Sequence, residues 1–266
     1  MLLALSLLLN RAALADLPDP RAALVTAEAV AALQAVDPAA AAAFAAADDA
    51  RDRGDLAAAG TGYAAVLQRV PDFPPALRRH CLVLQDSGQR DEALPRCRQA
   101  AALSDRPENA VALAYVLLDM PSGVDATLDD RKEARHLLIA ADQQDPDDPV
   151  NARLRCQIAM DEGDHALLSD CVEDMERVAP DHVLTAWHAW ALAHEEGRID
   201  DALGALDRAA AAGMPPDDVA SFRRLTLKER PPWTRWGPAL LVGLVLGLLS
   251  FSLFWGLWRR RAGQAR

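Results

Sequence analysis

Four cysteines, six histidines and several clustered carboxylates are the side chains through which this chain could do chemistry. His182, His188 and His194 recur at six-residue steps, which set successive imidazoles far apart around a helix. That spacing does not gather zinc ligands. Asp129-Asp130 and Asp145-Pro146-Asp147-Asp148 concentrate carboxylate on segments that read as loops, but they lack the ligand spacing of a calcium loop and read as solvated turns. No glycine-rich phosphate loop, G-x-S-x-G or H-E-x-x-H occurs. No catalytic residue, metal site or cofactor is assigned, and the expectation is a protein that is not an enzyme. The cysteines fall into two close pairs, Cys81 with Cys97 and Cys156 with Cys171, so the elements that carry them decide their chemistry.

Those elements are helical. About half of the 266 residues are hydrophobic, but alanine supplies much of that and aromatic residues only 5%, a composition that favours helix over sheet. The formal charge of -11 argues against nucleic acid as a partner, because phosphate binding needs a basic surface.

A ruler of glycines organises the middle of the chain. Gly54 to Gly88 is 34 residues, Gly163 to Gly197 is 34, and Gly88 to Gly163 is 75, or two periods plus seven. One further repeat with a seven-residue insertion must therefore lie between Gly88 and Gly163. A glycine can end a helix in a left-handed conformation that other residues resist, and small residues let the next helix fold back closely. Small residues recur five positions after the turn at Ala59, Ala93 and Ala202, with Ala134 in the inserted repeat and Leu168 as the exception. Pro71, Pro146 and Pro180 close three of the units.

This period and pattern resemble tetratricopeptide repeats. The resemblance covers residues 38–215 as five repeats, with the insertion near 121–130 expected as a long acidic loop. It implies an all-α, right-handed superhelix of stacked hairpins whose first helices line a concave groove. Residues 16–37 are expected to hold an N-terminal helix that covers one end, and 216–232 a capping helix and linker. Projecting the family's groove positions onto this chain selects Arg78, Arg79, Gln85, Asn109, Arg153, Gln157, Trp187, His188 and His194 as a surface for a protein or peptide partner. The arginines would meet partner carboxylates and Trp187 would supply an apolar anchor. His80 and Arg155 stand where the motif usually has a leucine-like residue, and Trp190 where it has a small one, which predicts splayed hairpins. Within the repeats each cysteine pair straddles a turn glycine almost evenly, one cysteine on each helix. Disulfides Cys81 to Cys97 and Cys156 to Cys171 are expected, alongside the alternative that the cysteines only fill small packing positions.

Two apolar segments flank the repeats. Residues 237–258 carry no formal charge over 22 positions, enough to cross a bilayer as one helix. Trp233, Trp236, Trp255 and Trp258 sit at its two ends and Arg259, Arg260 and Arg261 stop it, as at a membrane interface. Gly243 and Gly247 form a GxxxG pair through which two such helices could dimerise. Residues 1–15 end in Ala13-Leu14-Ala15 after an apolar run and read as a signal peptide, although no basic residue precedes the run. With the basic tail 259–266 in the cytoplasm, the repeats would face outward from a bacterial inner membrane. The architecture resembles bacterial envelope repeat proteins, which implies an interaction scaffold in envelope assembly or maturation. The alternative is a tail-anchored cytoplasmic scaffold.

Overall fold

The computed structural model describes residues 22–120 and 126–228. It divides into two compact units, Met1–Val219 and Ala220–Arg266. The first unit begins with α1 (Ala22–Val36) and continues as five helical hairpins: α2 (Pro38–Asp52) with α3 (Leu56–Arg69), α4 (Pro74–Asp86) with α5 (Arg90–Leu103), α6 (Pro107–Leu117) with α7 (Leu128–Gln144), α8 (Pro149–Glu162) with α9 (His165–Val178), and α10 (Val183–Glu195) with α11 (Ile199–Ala211). The last described helix is α12 (Pro216–Lys228), with Asp217 and Asp218 in its first turn and Lys228 in its last. That placement of charge suits the helix dipole. Among the described residues all regular structure is helical.

Local chemistry explains where each helix starts and stops. Proline opens α2, α4, α6 and α8, where its missing N–H costs nothing. Asp37, Asp55, Asp148 and Asp164 each accept hydrogen bonds from backbone N–H groups of the first turn that would otherwise be unpaired. Gly54, Gly88, Gly163 and Gly197 occupy the hairpin turns with φ of 77°, 76°, 68° and 69°, the left-handed conformation that glycine adopts without steric penalty.

The third hairpin departs from this rule. Its turn uses Asp119 at φ 50°, the one non-glycine with positive φ among the described residues. Asp119 N–H bonds Val116 O at 3.0 Å and Met120 N–H bonds Tyr115 O at 3.1 Å, the same pair of bonds that Gly88 and Gln89 make to Gln85 and Leu84. Aspartate is one of the few residues that visit this conformation, and here its carboxylate accepts from Gln85 Nε2 of the preceding repeat at 3.0 Å. The acidic loop expected near 121–130 is shorter than the sequence suggests. Thr127 caps α7 and Asp130 closes a reciprocal capping box with it, so Asp129 and Asp130 belong to the first helical turn; residues 121–125 are outside the described set.

Packing distinguishes the two helices of a hairpin. The second helices bury one stripe each, for example Ala93, Cys97 and Ala100 on α5 or Ala202, Ala205, Leu206 and Ala209 on α11, and leave their other faces in solvent. The first helices α4, α6, α8 and α10 are buried almost all round, and on α10 every residue from Val183 to His194 is buried, whereas α2 leaves several residues in solvent. Each hairpin also packs on the next, through α3 with α4, α5 with α6, α7 with α8 and α9 with α10. These are the contacts that make stacked repeats a solenoid.

The hairpins with unusual residues are closed, contrary to the splaying expected from His80, Arg155 and Trp190. Cys81 and Cys97 lie 5.5 Å apart at Cα, and Cys156 and Cys171 5.4 Å apart, each pair joined as a disulfide. Arg155 turns its guanidinium to Asp142 on α7 at 2.7 Å and Asp174 on α9 at 2.8 Å, satisfying its charge between helices. Trp190 is fully buried and stacks on His194, with ring centroids 5.2 Å apart. In the first hairpin α3 crosses α2 so closely that a Cβ on Gly62 would meet Ala47 Cβ at 2.7 Å.

Among the described residues no helix is long and apolar enough to cross a membrane. The segments read as a signal peptide (1–15) and as an anchor (237–258, with Gly243 and Gly247) lie outside the described residues.

Candidate partner groove

The residues projected onto the groove come from four first helices, and the structure places nearly all of them out of solvent. Arg78, Arg79 and Gln85 on α4, Asn109 on α6, Arg153 on α8, and Trp187, His188 and His194 on α10 are all buried, and Gln157 is half-buried. Instead of waiting for a partner's carboxylates, the arginines of α4 are engaged within the chain. Arg79 Nη1 donates to Asp48 Oδ1 of α2 at 2.7 Å, its guanidinium lies 5.4 Å over the Phe44 ring, and Tyr63 also donates to Asp48. Arg78 Nη1 donates to Asn109 Oδ1 at 3.3 Å and stands 4.0 Å from Glu108. Burial, together with the neighbouring Arg79, pushes the Arg78 guanidinium down to about 10. It stays charged at neutral pH.

These contacts step from one repeat to the next. Gln85 Nε2 reaches Asp119 Oδ1 at 3.0 Å and Met120 O at 2.9 Å, and Asn109 Nδ2 holds Ser104 O at 3.2 Å. Tyr115 on α6 donates to Asp86 on α4 at 2.8 Å, and the Arg153 guanidinium lies 5.9 Å from the Tyr115 ring centroid. Burial pushes the Tyr115 hydroxyl up and the Arg153 guanidinium down. Along the first helices the polar side chains therefore form a ladder that joins successive repeats. Half-buried Gln157 donates its amide to Asp161 at 3.0 Å, within its own helix.

The second helices carry a parallel ladder nearer solvent. Arg98 on α5 pairs with Glu133 on α7 at 2.8 Å, Arg135 on α7 with Asp164 at the start of α9 at 2.6 Å, and Arg208 on α11 with Glu176 on α9 at 3.4 Å. Such exposed pairs contribute little each, but they engage the chain's cations with its own carboxylates.

His188 is the histidine whose environment matters most. Burial, then the charge of Arg153, pushes its imidazole down to about 3. The folded chain holds the neutral form, so the unfolded chain binds the extra proton as the pH falls. The stability owed to a neutral His188 is complete above about pH 6.5 and is lost progressively toward about pH 3. A single such group gives a slope of about 1.4 kcal/mol per pH unit, hence a loss of about 2 kcal/mol between pH 7 and pH 5. His80 is lowered by burial too and adds in the same direction. Urea unfolding of His188→Gln at both pH values is expected to remove most of that loss; an unchanged pH dependence would place its source elsewhere.

Among the described residues no cluster of histidine, cysteine and carboxylate could hold a metal ion. His182 caps α10 through its ring, accepting from Leu184 N–H at 3.2 Å, whereas His188 and His194 are buried on that helix.

No family model and no curated protein sequence matches the chain. Solved structures do. The chain is similar to TTC0263, a thermophilic TPR protein of Thermus thermophilus, with a TM-score of 0.57 at 16% identity over 71% of this chain and 98% of that one. It is similar to PilF of Pseudomonas aeruginosa, with a TM-score of 0.59 at 16% identity over 77% of this chain and 98% of that one. A TM-score of 0.62 at 15% identity, over 78% of this chain and 40% of that one, relates it to a chain of the APC/C hetero-tetramer Cut9–Hcn1. At these identities the likeness is one of fold, and the fold is that of a tetratricopeptide-repeat solenoid.

Proposed function

We propose that this protein is a membrane-anchored interaction scaffold, carried by the segment 237–258, whose repeats stand outside the cytoplasm of a bacterial cell and hold a partner protein on the face formed by the first helices. The observation that carries the reading is the side-by-side stacking of those helices, α4 on α6 and α6 on α8, which builds one continuous surface across hairpins. Arg78 and Arg79 are paired internally, which leaves few free charges on that face to oppose an apolar contact. Two disulfides in this small repeat domain suit an oxidising compartment. A cytoplasmic, tail-anchored scaffold with the same groove is the competing reading.

Spheroplasts test both parts. A photo-crosslinking residue at position 157, half-buried on α8, is expected to capture a discrete partner that the same residue at exposed position 173 on α9 does not. Protease added outside is expected to digest the repeats in intact spheroplasts. Equal capture at both positions would move recognition off this face, and repeats cut only after lysis would reverse the topology.

A further inference from the structure

The sequence predicts an N-terminal helix that covers one end of the repeats; α1 packs on α2 as such a cover would, and it also reaches forward beyond the first hairpin. Thr26 Oγ1 accepts from Arg79 Nη2 of α4 at 2.7 Å, and Glu28 Oε2 lies 3.3 Å from Nη1 of Arg106, the residue that precedes α6. All of these partners belong to first helices or to the residue that starts one. Followed backward from Val36, α1 therefore crosses from the first hairpin toward the third along the first-helix face.

Its hold there is slight. The stripe turned to the repeats is Thr26, Ala29, Val30 and Leu33, spaced as one side of a helix; Val30 is only partly buried, and Leu33 is the one large, fully buried side chain. Leu24 and Val36 stand 61% and 73% exposed. By contrast α2 buries six residues, Phe44 among them. Asp37 alone separates α1 from α2, so a released α1 stays tethered beside its site.

We infer that α1 is an internal, displaceable occupant of the first half of the partner face, and that the partner which takes its place is an amphipathic helix presenting an apolar side chain where Leu33 lies and oxygen acceptors to Arg79 and Arg106. The inference rests on the reading of that face as the partner site. It identifies the class of partner by what α1 itself presents, and it gives the scaffold a closed state in which a tethered helix at high effective concentration excludes weak ligands.

Hydrogen exchange on the full chain in detergent tests the displacement without any partner. Amides of α1 are expected to exchange about tenfold or more faster than those of α2 to α5, as a separate opening unit. Leu33→Ala is expected to accelerate α1 further and leave α2 to α5 unchanged. A labelled peptide of residues 22–36 is then expected to bind the Leu33→Ala protein about tenfold tighter than the unaltered chain, since its internal competitor is weakened. The same peptide carrying Thr26→Ala and Glu28→Ala is expected to bind less well. Exchange of α1 only together with α2 and α3, or peptide binding that ignores either change, would overturn the inference and make α1 a fixed part of the fold. Displacement observed without capture at position 157 would retain the movable helix and refute only the partner reading.

Discussion

Asp48→Ala is expected to destabilise the repeats by about 3 to 5 kcal/mol, because it strips one partner from a buried ion pair and leaves the other charge uncompensated. Arg79 and Asp48 are each 4% exposed, and both lie between the first hairpin, the second hairpin and α1. With Asp48 gone, Arg79 keeps the Thr26 hydroxyl and the Phe44 ring as neighbours but no anion. Tyr63 loses the acceptor for its hydroxyl, and that hydroxyl cannot compensate by ionising because burial already pushes its pKa up. Removing both charges is a different experiment. Asp48→Leu with Arg79→Met replaces the pair by apolar volume and is expected to cost far less than Asp48→Ala alone, since buried ion pairs contribute little net stability over a well-packed apolar pair. Urea unfolding followed by circular dichroism measures both variants, and an Asp48→Ala protein within about 1 kcal/mol of the unaltered chain would refute the uncompensated-charge account.

The same pair marks the boundary of what residue types alone convey. The glycine ruler reads directly into turns, because a left-handed turn residue is a local steric demand that the sequence states openly at Gly54, Gly88, Gly163 and Gly197. The stripes of the second helices are equally legible, since their buried residues are small or apolar and their outer residues charged. The first helices are not. Arginine, histidine and asparagine normally mark exposure, and Arg79, Arg155 and Asn109 are buried only because each finds its counterpart about one helix or one repeat away, at Asp48, at Asp142 and Asp174, and at Arg78. Such pairings are long-range in sequence and no local pattern announces them. The third turn escaped for a related reason: Asp119 adopts the conformation that glycine holds in the other turns, so the ruler shows a gap there. The path of α1 was illegible too, because an alanine-rich helix carries little information about which surface it will lie on.

The cysteines were legible as pairs, and the structure shows what the pairing replaces. Counted from the turn glycine, the residue seven before and the residue nine after are Ala47 and Tyr63 around Gly54, Trp190 and Leu206 around Gly197, and Cys81 and Cys97 around Gly88. In the fourth repeat the pair around Gly163 is Cys156, seven before, and Cys171, eight after. The first and fifth hairpins put Tyr63 or Trp190, both fully buried, at these positions. The second buries Ala93 and Ala100 beside its cysteine on α5, so the disulfide stands where the first and fifth hairpins place a large ring. Bridges spanning 16 and 15 residues are each expected to contribute about 3 kcal/mol, chiefly by restricting the unfolded chain. The two bridges sit in separate hairpins with α6 and α7 between them, so their contributions should add. Reduction of the native protein is then expected to remove about 6 kcal/mol, a large share of what a domain of this size possesses. Paired Cys81→Ser and Cys97→Ser substitutions should cost about half of that loss in denaturant unfolding. Non-reducing peptide mapping of membrane-purified protein should find all four cysteines in the pairs Cys81 to Cys97 and Cys156 to Cys171. Four reactive thiols in that material, with a melting curve indifferent to reductant, would assign the cysteines to packing alone and remove one support for placing the repeats outside the cytoplasm.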